Sequence, residues 1–99
     1  MRYTVDLLFK ARQEIFEGWK WYEEQQPGLG DRFEDEVFRK IALIEANPLH
    51  YPLKKRTREA NTDKFPYLIV YRVNESRKLI MIVSVFHTSR HPKKKHQAR

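Results

Sequence analysis

The sequence predicts an α+β domain, ordered β-α-α-β-β-β, in which a helical hairpin packs on a small, mainly antiparallel sheet. Three patterns carry that reading. The chain opens on apolar and polar alternation, continues through two apolar stripes of helical spacing, and ends in two β-branched and aromatic runs separated by four polar residues.

Each element follows from its own residues. Tyr3, Val5, Leu7 and Phe9 alternate with Arg2, Thr4 and Asp6, which predicts a strand over Tyr3–Phe9 with one face buried. From Lys10 to Gln26 the stripe Ala11, Ile15, Trp19 and Tyr22 predicts an amphipathic helix. Pro27-Gly28-Leu29-Gly30 ends it, because proline lacks a donor and glycine permits positive φ. A second helix is expected from Asp31, with Asp31 as N-cap and Glu34 reaching back in a capping box. Its stripe is Phe33, Val37, Ile41 and Ile44, Leu29 staples its start, and Asn47-Pro48 stops it. Leu53–Arg58, polar and basic after Pro52, reads as an edge strand. Phe65–Val73 and Lys78–His87 form a hairpin around Asn74–Arg77, and the run 79–86, apolar on both faces, suits a central strand. Residues 1–92 are expected to form a single domain and the basic residues 93–99 a disordered tail.

Composition narrows the function. The 99 residues hold no cysteine, so a disulfide framework and a thiolate metal site are excluded, and a reducing cytoplasm is the expected location. Asp6 interrupts any signal-peptide core, and the longest near-apolar run is far short of the ~20 residues that span a bilayer, so no membrane partner is expected. Charge is split along the chain. Residues 1–50 carry 7 basic and 10 acidic side chains, whereas residues 51–99 carry 13 basic and 3 acidic. A concentrated positive field suits a polyanion or an acidic protein segment.

Phosphate-binding glycine loops, nucleophile elbows and zinc-protease helices are absent from the sequence. What remains is cationic: Lys54, Lys55, Arg56 and Arg58 on the edge strand, Arg72 on the next, then His87, Arg90, His91 and the tail lysines. These could grip an RNA phosphodiester, with His87 shuttling a proton and Arg90 stabilising developing charge, or they could dock an acidic partner. A solvated basic face is the bland alternative. His87, His91 and His96 do not make a metal site, because Pro92 prevents a helix that would align them and no carboxylate completes the set; no cofactor is expected. Trp21 lies off the first stripe and is the candidate partner-contacting anchor.

The order of W-x-W-Y-E-E, P-G-L-G-D-R-F, N-P-x-x-Y-P, F-P-Y-x-I-x-Y-R-V and V-F-H-T-S-R-H-P resembles the RelE/ParE superfamily over Tyr3–Pro92. Those proteins are the toxins of bacterial type II toxin–antitoxin modules. The resemblance implies neutralisation by a cognate antitoxin and one of two targets; the charge split would place the antitoxin's acidic segment mainly over the sheet surface and basic strands of residues 53–91. ParE-like members poison DNA gyrase, and RelE-like members cleave mRNA on the ribosome. It also implies that Arg72 and Arg90 occupy commonly basic positions and that His87 stands at a strand end used by several members. Leu68 stands where the ribonucleases often carry arginine, and no tyrosine follows His87; both features favour the ParE-like reading, with a non-toxic nucleic-acid-binding or protein-binding member as a further alternative.

Overall fold

Ala11, Ile15 and Tyr22 of the first stripe and Phe33, Val37, Ile41 and Ile44 of the second are buried in a computed structural model of the chain, which describes residues 2–89. Arg90, His91 and the tail at 93–99 lie outside the described residues. The element order is β1 (Thr4–Leu7), α1 (Phe9–Gln25), α2 (Leu29–Ala46), β2 (Leu53–Lys54), β3 (Thr57–Asn61), β4 (Tyr67–Asn74) and β5 (Leu79–His87). Five strands form one sheet in the order β1-β5-β4-β3-β2. β5 is the central partner of two neighbours, β1 in parallel and β4 antiparallel, in keeping with the central strand expected from its near-apolar run. Ile69, Tyr71, Ile80, Ile82 and Val85 are inaccessible to solvent beneath the helices. Each such side chain contributes on the order of 1.5–3 kcal/mol by leaving water.

Two expectations are corrected. The single edge strand over Leu53–Arg58 is instead a tight hairpin: Leu53 pairs with Arg58 and Lys54 with Thr57, and Lys55 turns the chain in the left-handed region at φ 59°. The run of three cations Lys54-Lys55-Arg56 hides that turn, because none of them is a usual turn residue. The second correction concerns the start of α2. The helix begins at Leu29, and Gly28 precedes it at φ 90°. Neither Asp31 nor Glu34 caps it. The Glu23 carboxylate, from the last turns of α1, accepts from the backbone N–H groups of Gly28 at 2.8 Å and Gly30 at 2.9 Å. The first helix thus supplies the anion that the positive end of the second requires. Asp31 accepts from the Trp19 indole N–H at 2.9 Å, which ties the first turn of α2 to α1 and leaves Trp19 half-buried at the margin of the core.

Candidate target and partner surfaces

Strand pairing decides which of the predicted site residues can meet. On β4, Tyr67, Ile69 and Tyr71 face the helices, so Leu68, Val70 and Arg72 alternate onto the open face of the sheet. Arg72 is exposed and pairs with Met81 of β5. Lys54 joins the same open face through its ion pair with Glu59 at 3.3 Å, since Glu59 lies opposite Val70. Lys55 and Arg56 are exposed on the β2–β3 turn. That turn and the β4–β5 turn project from the same end of the sheet, so Lys54, Lys55, Arg56 and Arg72 share one pole of the molecule.

Arg58 has a different role from its basic neighbours. It pairs with Tyr71 on the helix side, and its Nη1 donates to the carbonyls of Tyr51 at 2.6 Å and Leu49 at 3.3 Å. The guanidinium therefore anchors the segment between α2 and β2. Tyr71 completes that anchor by donating its hydroxyl to the Pro48 carbonyl at 2.7 Å. Burial pushes the Tyr71 phenol up to about 12, against the lowering pull of Arg58.

Among the described residues, His87 lies apart from the cations of that pole, Lys54, Lys55, Arg56 and Arg72. Unbroken alternation along β5 would set it on the open face with Met81. A bulge intervenes: Tyr71 lies opposite Ile82 and Val70 opposite Ser84, so Val83 is the extra residue. Beyond it Val85 pairs with Ile69 in the core, and His87 pairs with Tyr67, their rings edge to face with centroids 5.2 Å apart. His87 Nδ1 accepts from the Ser89 N–H at 3.0 Å. The imidazole thus sits on the helix side, roughly 18 Å along the strand from the Arg72 position. The Glu14 carboxylate of α1 holds the bulge, accepting from Ser84 Oγ and Val85 N–H, both at 2.8 Å. Nothing in a single sequence announces such a bulge.

The helical hairpin offers a second surface, which the sequence reading missed. A cleft of about 520 Å³ opens between the helices beside the end of β1, lined by Leu7, Arg12, Ile15, Phe16, Trp19 and Phe38, with Asp31 and Glu34 at its rim. Phe16 stacks toward Trp19 with ring centroids 6.0 Å apart, and Phe16 and Phe38 are 59% and 41% exposed, well beyond what a core-facing stripe leaves bare. The off-stripe aromatics at 16 and 38 were the available signal. Trp21, 43% exposed, packs edge-on against Tyr22 outside this cleft. Among the described residues, no group of three or more His, Asp or Glu side chains is placed to hold a metal ion, and no helix is long and apolar enough to cross a membrane.

A two-helix hairpin on a five-stranded mixed sheet, with a cationic pole and an apolar helical cleft, makes this a small α+β domain built to meet partners on two surfaces. Residues 5–92 match the family model described as the ParE toxin of the type II toxin–antitoxin system parDE, and the chain belongs to that family. It is a type II toxin component. Among solved structures, a chain of the chromosomal ParDE system from P. aeruginosa superposes with a TM-score of 0.75 at 14% identity, covering 87% of this chain and 96% of that one. The intact E. coli RelBE toxin–antitoxin complex gives 0.67 at 18% identity, covering 89% and 99%. RelBE2 from Mycobacterium tuberculosis gives 0.62 at 20%, covering 88% and 99%. These likenesses establish the fold. Among curated proteins, none matches the sequence significantly.

Proposed function

We propose that this chain is a gyrase-directed toxin of the ParE kind, silenced by a cognate antitoxin, and that it does not cleave mRNA. The observation that carries this reading is the separation of His87 from the described cations of the pole. Acid–base cleavage of a phosphodiester needs a proton-transfer group within hydrogen-bond reach of the scissile phosphate that the cations hold. Here the bulge at Val83 turns His87 toward Tyr67 while Arg72 and Lys54 stand on the open face. That open face presents Leu68, Val70, Met81 and Phe86 among its strands, a surface suited to contact with protein rather than to proton transfer.

The antitoxin fills the cleft with apolar side chains against Phe16, Trp19 and Phe38. Complexes of RelE with RelB, including one with a RelB peptide, support such a partner by analogy of fold. From the cleft, the outer edge of β1, unpaired among the described residues, leads to the cationic pole, where an acidic segment covers Lys55, Arg56 and Arg72. Neutralisation then follows from masking the surface that faces the target.

Induced expression without antitoxin tests the reading in cells. Growth arrest accompanied by a shift in reporter-plasmid linking number, with transcripts intact, is expected. Arrest with codon-positioned mRNA cuts, abolished by His87→Ala, would establish the RelE-like alternative instead. The absence of any growth effect would favour a non-toxic binding module.

A further inference from the structure

The cationic pole is larger than its four sequence-flagged residues. The β4–β5 turn adds Arg77, exposed, and Lys78, whose ammonium lies over the Tyr3 ring at 5.1 Å from its centroid. Thr4 N–H donates to the Lys78 carbonyl at 2.9 Å, so the start of β1 brings exposed Arg2 to the same pole. Glu59 is paired with Lys54; Asp6, exposed and in register with Arg72 across Met81 of β5, Glu45 near Arg2 and Glu75 in the turn are further carboxylates nearby, outnumbered by the cations. The side chains of Lys55, Arg56, Arg72 and Arg77 make no ion pair with another described residue.

The geometry points to this pole as a docking edge for the phosphate backbone of duplex DNA, read without regard to sequence. The inference rests on the assignment of the pole as target-facing and specifies what it takes there. Five strands about 4.8 Å apart spread the cations over roughly 19 Å, the rise of five to six base pairs. Long basic side chains on turns can follow a phosphate track at that spacing, and charge is all that they read.

Single-stranded RNA is disfavoured by the aromatics. Its recognition depends on exposed rings on which bases stack. Tyr3 is half-buried beneath Lys78, and Tyr51 is half-buried with its ring edge-on to His50 and Tyr71. Phe9, Phe16, Trp21 and Phe38, which are exposed, all belong to the helices.

Fluorescence anisotropy of the full chain with a 20-base-pair duplex and a length-matched single-stranded RNA, titrated in salt, tests the inference. If four to five phosphates are neutralised, log Kobs falls against log salt with a slope of about −4, or about 250-fold weaker binding from 50 to 200 mM. Combined Arg72→Ala and Arg77→Ala should lower the slope by about 2 and weaken low-salt binding by about tenfold or more, because two phosphate contacts are lost. The helix pair Lys20→Ala and Arg39→Ala should leave the slope unchanged, and a thermal melt of each variant verifies folding. No duplex binding at 50 mM salt, an unchanged slope in the Arg72 and Arg77 variant, or tighter binding to the single strand would overturn it. Duplex binding that responds as stated supports the inference whether or not gyrase is the target, so failure to inhibit gyrase would count against the target reading alone.

Discussion

Glu14 of α1 accepts the Val85 backbone N–H at 2.8 Å, across 71 residues of sequence, and so satisfies the donor at the bulge of β5. The same oxygen accepts from Ser84 Oγ. One carboxylate thereby fixes the register in which Val85 enters the core and His87 turns to the helix side. Hydrogen bonds to charged groups contribute roughly 1.5–3 kcal/mol, and an orphaned buried N–H adds a penalty of its own. Glu14→Ala should destabilise the chain by about 2–4 kcal/mol in urea unfolding, with Glu14→Gln losing about half of that. An Ala variant as stable as the parent would show that the bulge holds without its carboxylate.

The cap of α2 makes a sharper contrast. Glu23→Ala should lower stability by about 1–2 kcal/mol, because it removes the acceptor for both Gly28 and Gly30, whereas Glu34→Ala should change it by less than about 0.5 kcal/mol. Thermal unfolding of the two variants decides between the observed cap and the capping box that the sequence suggests. A larger effect at Glu34 would restore the box.

Much of the fold was legible. Both helical stripes are periodic enough to mark their buried face, and the β4 and β5 runs hold more β-branched and aromatic side chains than a helix would carry. The rest depends on long-range relations. The Glu23 cap depends on how α1 returns to meet α2, the β2–β3 turn on one left-handed lysine, and the position of His87 on a single extra residue, Val83. The site suffered most from that last point, since a one-residue slip moves a side chain to the other face. The apolar cleft was readable in principle from Phe16 and Phe38, but only once the helices were set side by side.

Glycine positions rank by what a methyl group would meet. At Gly30 a Cβ would lie 2.5 Å from the Trp19 carbonyl oxygen, a backbone atom that cannot yield without moving α1. At Gly18 it would lie 2.7 Å from Phe33 Cζ, where the ring must shift within the core. Gly30→Ala and Gly18→Ala should each destabilise by about 2–4 kcal/mol, more than Gly28→Ala at about 1–2 kcal/mol, where there is space but φ is +90°. Denaturant midpoints for the three variants test the order, and Gly28→Ala as the worst of them would refute the packing argument.

Alkaline pH should unfold the chain through Tyr71. Its phenol ionises at about 12 in the folded state and 10.0 when unfolded. Between those values the unfolded chain has released a proton that the native state retains, so stability falls as pH rises. The full contribution is present below pH 10, and the loss through pH 12 is on the order of 2–3 kcal/mol. Tyr71→Phe should be less stable at pH 7 by about 1 kcal/mol, through loss of the bond to Pro48, and should lose less between pH 10 and 12 than the parent. Parallel pH profiles for the two proteins would contradict this assignment.

The most direct measurement of function is gyrase supercoiling of relaxed plasmid by purified enzyme with added toxin, run beside toxin added to ribosomes translating a defined mRNA. With His87 turned away from the cationic pole, supercoiling should fall in proportion to toxin while the mRNA stays whole, and His87→Ala should inhibit as well as the parent. Uninhibited supercoiling together with cleavage of the mRNA at the ribosome would contradict the gyrase reading and place His87 back in a nuclease centre.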